Sequence, residues 1–116
     1  MEENKVTNTI LYVVKLLVDG SYRELVEFST GRLNAQEIQD SLEEYPCTLV
    51  YPPNEELSSL VYGDIMDFGN FLPKKWSIDV LLYTIEEGRS DLTLSLTITD
   101  TDTEMYTVEI DGIHVL

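Results

Sequence analysis

The spacing of apolar residues changes once along this chain, at Pro46-Cys47, and that change limits the folds open to it. Before it, Val6, Ile10, Val13, Val14 and Leu17 recur at helical intervals, with Leu11 and Val18 widening the stripe. After it, Leu92, Leu94, Leu96 and Ile98 alternate without a break against Thr93, Ser95, Thr97 and Thr99, the pattern of a strand with one buried and one hydroxyl-lined face. Helices first and antiparallel strands afterwards is the layout of an α+β domain, with N-terminal helices packed on one face of a C-terminal antiparallel meander. The 116 residues contain no repeat, low-complexity tract or Gly/Ser linker, so one domain over 1–116 is expected.

Local signals divide each half. Asp19-Gly20 should end the first helix, with the glycine free to turn left-handed. Ser21 and Glu24 stand at capping-box spacing for a short second helix carrying Leu25 and Phe28 inward. Asn34 and Glu37 repeat the box for a third, with Leu33 and Ile38 placed as a hydrophobic staple and Pro46 barring continuation. In the second half, Thr48 to Tyr51 reads as a short strand and Leu60 to Phe68 as one interrupted by Gly63. Trp76 to Ile85 reads as a long strand, with Glu86 to Ser90 as its turn. Tyr106, Val108 and Ile110 alternate in the last strand, and Asp111-Gly112 forms a turn or bulge before Ile113 to Leu116.

Charge excludes several function classes. Seven basic residues face 22 acidic ones, a formal charge of -15. Residues 1–45 hold 4 basic and 9 acidic side chains, and residues 46–116 hold 3 and 13, so the acid concentrates in the strands. Such a surface repels phosphate backbones and anionic lipid, and neither nucleic acid nor membrane is an expected partner. No apolar run approaches the length of a membrane span. The opening Met1-Glu2-Glu3-Asn4-Lys5 lacks a basic signal region, which gives a cytoplasmic expectation. Acidic surfaces also serve solubility alone.

Catalytic signatures are missing. His114 is the sole histidine and Cys47 the sole cysteine, so no histidine cluster, disulfide or zinc spacing exists, and no cofactor or metal is expected. Cys47 reads as a buried structural thiol. Asp100-Thr101-Asp102-Thr103-Glu104 begins like a calcium loop, but it lacks the sixth-position glycine and the distal glutamate and reads as a hairpin turn. Asp79 shares a strand face with Ser77, Leu81 and Tyr83. Burial there would raise its pKa and suit it to acid–base work; the plainer alternatives are an open face or a pair with Arg89. Glu86, Glu87, Arg89 and Asp91 crowd one turn, a charged tip able to meet a basic surface. The ladder of Thr93, Ser95, Thr97, Thr99 and Thr107 is a wet face or a self-association surface.

The run from Trp76 to Leu94, with Glu86-Glu87-Gly88-Arg89-Ser90-Asp91-Leu92-Thr93 at its turn, and the ending Ile110-Asp111-Gly112-Ile113-His114-Val115-Leu116 resemble a family of small uncharacterised bacterial domains. More loosely, the element order is similar to the NTF2-like (cystatin-like) α+β cone. That resemblance implies a helix–sheet cleft able to hold a small ligand, pointing to Trp76, Asp79, Tyr83 and His114 as its candidate residues with their convergence left to the strand register, and in some members an immunity role against toxins.

Two functions follow as expectations. The first is an acidic binding module, possible as an immunity-type protein, that recognises a basic protein through Glu86, Glu87, Arg89, Asp91, Asp100 and Asp102. The rival is a pocket protein that binds or transforms a small apolar molecule, with Asp79 or His114 as base and Tyr83 as hydrogen-bond donor. A structural homodimer joined through its sheets is the third reading.

Overall fold

A computed structural model of the chain describes residues 3–30, 33–45, 47–59, 61–69, 73–101 and 103–115. Three helices come first: α1 (Glu3–Val18), α2 (Tyr22–Phe28) and α3 (Ala35–Glu43). Strands follow as β1 (Leu49–Val50), β2 (Val61–Asp67), β3 (Lys75–Thr84), β4 (Gly88–Thr99) and β5 (Thr107–Val115), with a short 3-10 helix over Asn54–Ser59 between the first two. The expected α+β order therefore holds.

The helix ends follow from local chemistry. Gly20 adopts φ 73°, the Ser21 N–H reaches Leu16 O at 2.9 Å and the Gly20 N–H reaches Leu17 O at 3.2 Å. These are the paired bonds of a Schellman stop. They also explain a correction: Ser21 makes no side-chain cap to α2. Its ψ of 56° lies outside the extended conformation from which a capping hydroxyl reaches the first-turn N–H groups. At α3 the box forms in full. Asn34 Oδ1 accepts from the Glu37 N–H at 2.8 Å, and Glu37 Oε1 accepts from the Asn34 N–H at 3.1 Å. Ile38 is fully buried and Leu33 packs on the core beside it.

The sheet is antiparallel in the order β1-β3-β4-β5, and β2 also pairs with β3, below β1 on the same edge. Its helix-side face carries Trp76, Ile78, Val80 and Leu82 from β3, Leu92 to Ile98 at every second position of β4, and Val108 and Ile110 from β5. These meet Val6, Ile10, Val13 and Leu17 of α1, Leu25 of α2 and Ile38 of α3 in one core. Two irregularities adjust the register. Opposite Leu82, β4 carries three residues, and Ser90 fills the gap by donating to Leu82 O at 2.7 Å. On β5, Asp111 is inserted between the pairs Ile110–Leu96 and Gly112–Ser95. That bulge moves the apolar side chains from even to odd positions, returning Ile113 to the core side and turning His114 to the other face. Of the turn or bulge expected at Asp111-Gly112, the structure forms the bulge, and β5 runs through it as one strand.

Candidate functional site

The face away from the helices has its centre on β4. Because strand side chains alternate, Asp79, Ser95 and Gly112 lie in one rung of this face, and Leu81, Thr93 and His114 in the next. Ser95 donates its hydroxyl to Asp79 Oδ1 at 2.7 Å, and Thr97 donates to Asp111 Oδ2 at 2.7 Å. Glu109 stands opposite Thr97. A carboxylate thus flanks β4 on each side, held by a β4 hydroxyl. Asp79 and Glu109 are half-buried, and Asp111 and His114 are exposed. A Cβ on Gly112 would lie 3.9 Å from His114 Nδ1, so the imidazole leans back along β5 over the glycine.

The expected pocket residues do not converge. Trp76 lies on the opposite face from Asp79, in the core, with its ring edge-on to Tyr106 at a centroid distance of 5.8 Å. Alternation along β3 separates the two side chains, so a cleft shared by Trp76 and Asp79 is corrected. Tyr83 sits nearer the β3–β4 turn, opposite Val50 and Arg89, and is buried in the core. Its hydroxyl has no partner of ordinary hydrogen-bond geometry among the described residues. Burial first, then the nearby Glu56 carboxylate, pushes the phenol's pKa up. Asp79 and His114 do share a face, but one strand and one rung separate them, about 12 Å between Cα atoms from strand spacings. Nor does Asp79 pair with Arg89: its partner is Ser95.

The turn residues expected to meet a partner are largely engaged within the chain. Thr48 gives its N–H to Glu86 Oε1 at 2.8 Å and its hydroxyl to Glu86 Oε2 at 3.0 Å. The backbone bond leads in holding this carboxyl below the usual glutamate range. Tyr45 donates its hydroxyl to Glu87 Oε1. That bond, then burial and the Glu87 charge, pushes the phenol up to about 12. Cys47, between these contacts, is half-buried rather than enclosed. Burial and then the two glutamates raise its pKa, which disfavours the thiolate. Arg89 and Asp91 remain exposed, and among the described residues neither forms an ion pair.

Asp100 is tied to α1. Lys5 Nζ lies 3.4 Å from Asp100 Oδ1, donates to Thr101 O at 2.7 Å and sits 4.5 Å over the Tyr106 ring. Asp102 lies outside the described residues. Beside Lys5, a polar depression of about 400 Å³ is lined by Asn4, Asn8, Thr103 and Glu104, at the far end of the fold from Arg89. No group of metal-binding side chains occurs among the described residues. Among them, too, no helix is long and apolar enough to cross a membrane.

Ser95, Thr97, Glu109, Asp111 and Gly112 are thus the site residues that sequence reasoning did not single out. The signal was partial: the hydroxyl ladder put Ser95 and Thr97 on one face, whereas Asp111-Gly112 read only as a turn or bulge. A family model described as "Domain of unknown function (DUF7668)" matches residues 14–116. Comparison with curated proteins and with solved structures yields no match.

Proposed function

The chain belongs to this DUF7668 family, and we propose that it acts as an acidic recognition module whose sheet face away from the helices receives a basic protein partner at its accessible carboxylates. The observation that carries this reading is the arrangement of Asp79, Glu109 and Asp111 around β4. Two of these carboxylates are already oriented by Ser95 and Thr97. Orientation lowers the entropy lost when a lysine or arginine docks, and the excess of 22 acidic over 7 basic residues steers such a partner inward. The face replaces Glu86, Glu87 and Asp100 as the centre of contact, because those three have partners within the chain. Asp91, exposed beside Arg89, extends the contact at one end. An immunity protein covering the basic surface of a toxin is one form this function takes.

The test is affinity capture from native lysate on two immobilised proteins, the wild type and the combined variant Asp79→Asn, Glu109→Gln, Asp111→Asn. The captured partner is then purified and titrated against both. The expected partner is basic, leaves the wild type at moderate salt and is not retained by the variant. A partner held equally by the variant, or indifferent to salt, overturns the reading.

A further inference from the structure

β5 is an outer strand of the sheet, and the helical layer closes its free edge along only part of its length. The Tyr106 N–H, just before β5, donates to Thr9 Oγ1 at 3.0 Å, and Val108 O accepts from the Thr30 N–H at 2.7 Å. In an antiparallel ladder every second residue turns both its N–H and its C=O away from the neighbouring strand. Val108 and Ile110, opposite Ile98 and Leu96, belong to that outward class. The Asp111 insertion lengthens β5 alone, so the alternation along β4 continues unbroken. Ile113, opposite Leu94, and Val115, opposite Leu92, therefore turn their backbone groups outward as well. Among the described residues, no helix or loop supplies these groups with a hydrogen bond.

An unpaired edge is a template for another strand. A second copy of the chain is a poor occupant, since it brings a further charge of -15 beside Asp111 and Glu109. A basic segment is complementary to both the charge and the edge. Resting on the reading above, we infer that the basic partner presents an extended segment that pairs with β5 at Ile113 and Val115. Its alternate side chains then fall on the two faces. The basic ones reach toward Asp111 and Glu109 on β5, and the apolar ones cover Ile113 and Val115, of which Val115 is 52% exposed.

Amide hydrogen exchange by NMR on the whole chain tests this, using two short synthetic peptides. One alternates lysine with valine; the other alternates lysine with proline, keeping the charge but removing half the backbone donors. With the lysine–valine peptide at about ten times its Kd, exchange at the Ile113 and Val115 amides should slow by about tenfold. The lysine–proline peptide should shift signals around Glu109 and Asp111 without that protection. Binding of the lysine–valine peptide with unchanged exchange at Ile113 and Val115 overturns the edge inference and leaves the acidic-face reading standing. If neither peptide shifts signals on the face, both fall.

Discussion

Ser95 donates to Asp79 across the β3–β4 ladder at 2.7 Å, so among the described residues the carboxylate is held by a neutral hydroxyl and not by a cation. Its charge therefore stays available to a partner. Ser95→Ala should cost about 0.5–1.5 kcal/mol, the usual net contribution of one hydrogen bond. Asp79→Asn keeps an acceptor at that place and should change stability less, while weakening binding of a basic partner. Urea unfolding midpoints of the two variants check this. A larger loss for Asp79→Asn than for Ser95→Ala would mean that the charge itself supports the sheet.

The hairpin tip gives a pH dependence with a definite sign. Thr48 holds the folded pKa of Glu86 below its unfolded value, ordinarily about 4.3. A depressed carboxyl stabilises the fold above that value, and the contribution fades as pH falls from there through the lower folded pKa. The stability advantage of wild type over Glu86→Gln should then be flat near neutrality and shrink below about pH 5. Unfolding midpoints across an acid series read it directly; an advantage that grows on acidification would show the sign to be wrong.

At the alkaline end the same tip works through Tyr45. Its pKa is raised to about 12, chiefly by the bond to Glu87, so its contribution is full below the ordinary tyrosine value of about 10 and lost as pH rises through about 12. Difference ultraviolet titration of wild type against Tyr45→Phe should show the missing tyrosine ionising well above the ordinary value. An ordinary titration midpoint in that difference would count against the Glu87 contact.

Two serine-or-asparagine helix starts look alike in the sequence and should behave differently. Asn34→Ala removes the side-chain acceptor of a formed capping box, leaving only the backbone bond to Glu37, and should cost about 1 kcal/mol. Ser21→Ala removes a side chain that caps nothing and should be nearly neutral. Equal losses in urea titrations would mean that Ser21 does cap α2 in solution.

That contrast indicates how far the sequence could be read. Capping-box spacing is a local signal, but whether it is used depends on the backbone entering the helix. At Ser21 the Schellman stop of α1, to which its own N–H belongs, imposes that backbone. The β4 alternation and the Asp111-Gly112 irregularity were legible because apolar parity must match the core, and the change from Ile110 to Ile113 demands one inserted residue. The site was less legible. Asp79 and His114 share a face only because of the β3–β4–β5 register, which no single strand's pattern contains. The capture of Glu86 and Glu87 by Thr48 and Tyr45 joins residues about 40 positions apart, and composition sees only a charged turn.

The attachment of α1 to the sheet edge rests on a relay through Thr9, which offers the sharpest test of the fold. Its fully buried hydroxyl donates to Lys5 O at 2.7 Å and accepts from the Tyr106 N–H at 3.0 Å. Thr9→Val preserves shape while leaving the Tyr106 N–H facing a methyl group. The loss of a buried partner should cost about 1–3 kcal/mol. Thr9→Ser keeps the oxygen, loses one methyl group and should cost about 1 kcal/mol, the scale of a single buried methyl or methylene. Urea unfolding gives both energies, and faster exchange of the Tyr106 amide in Thr9→Val alone would locate the damage. If Thr9→Val proves as stable as wild type, the threonine contributes shape and not its hydrogen bond, and α1 is held by its apolar face and by Lys5.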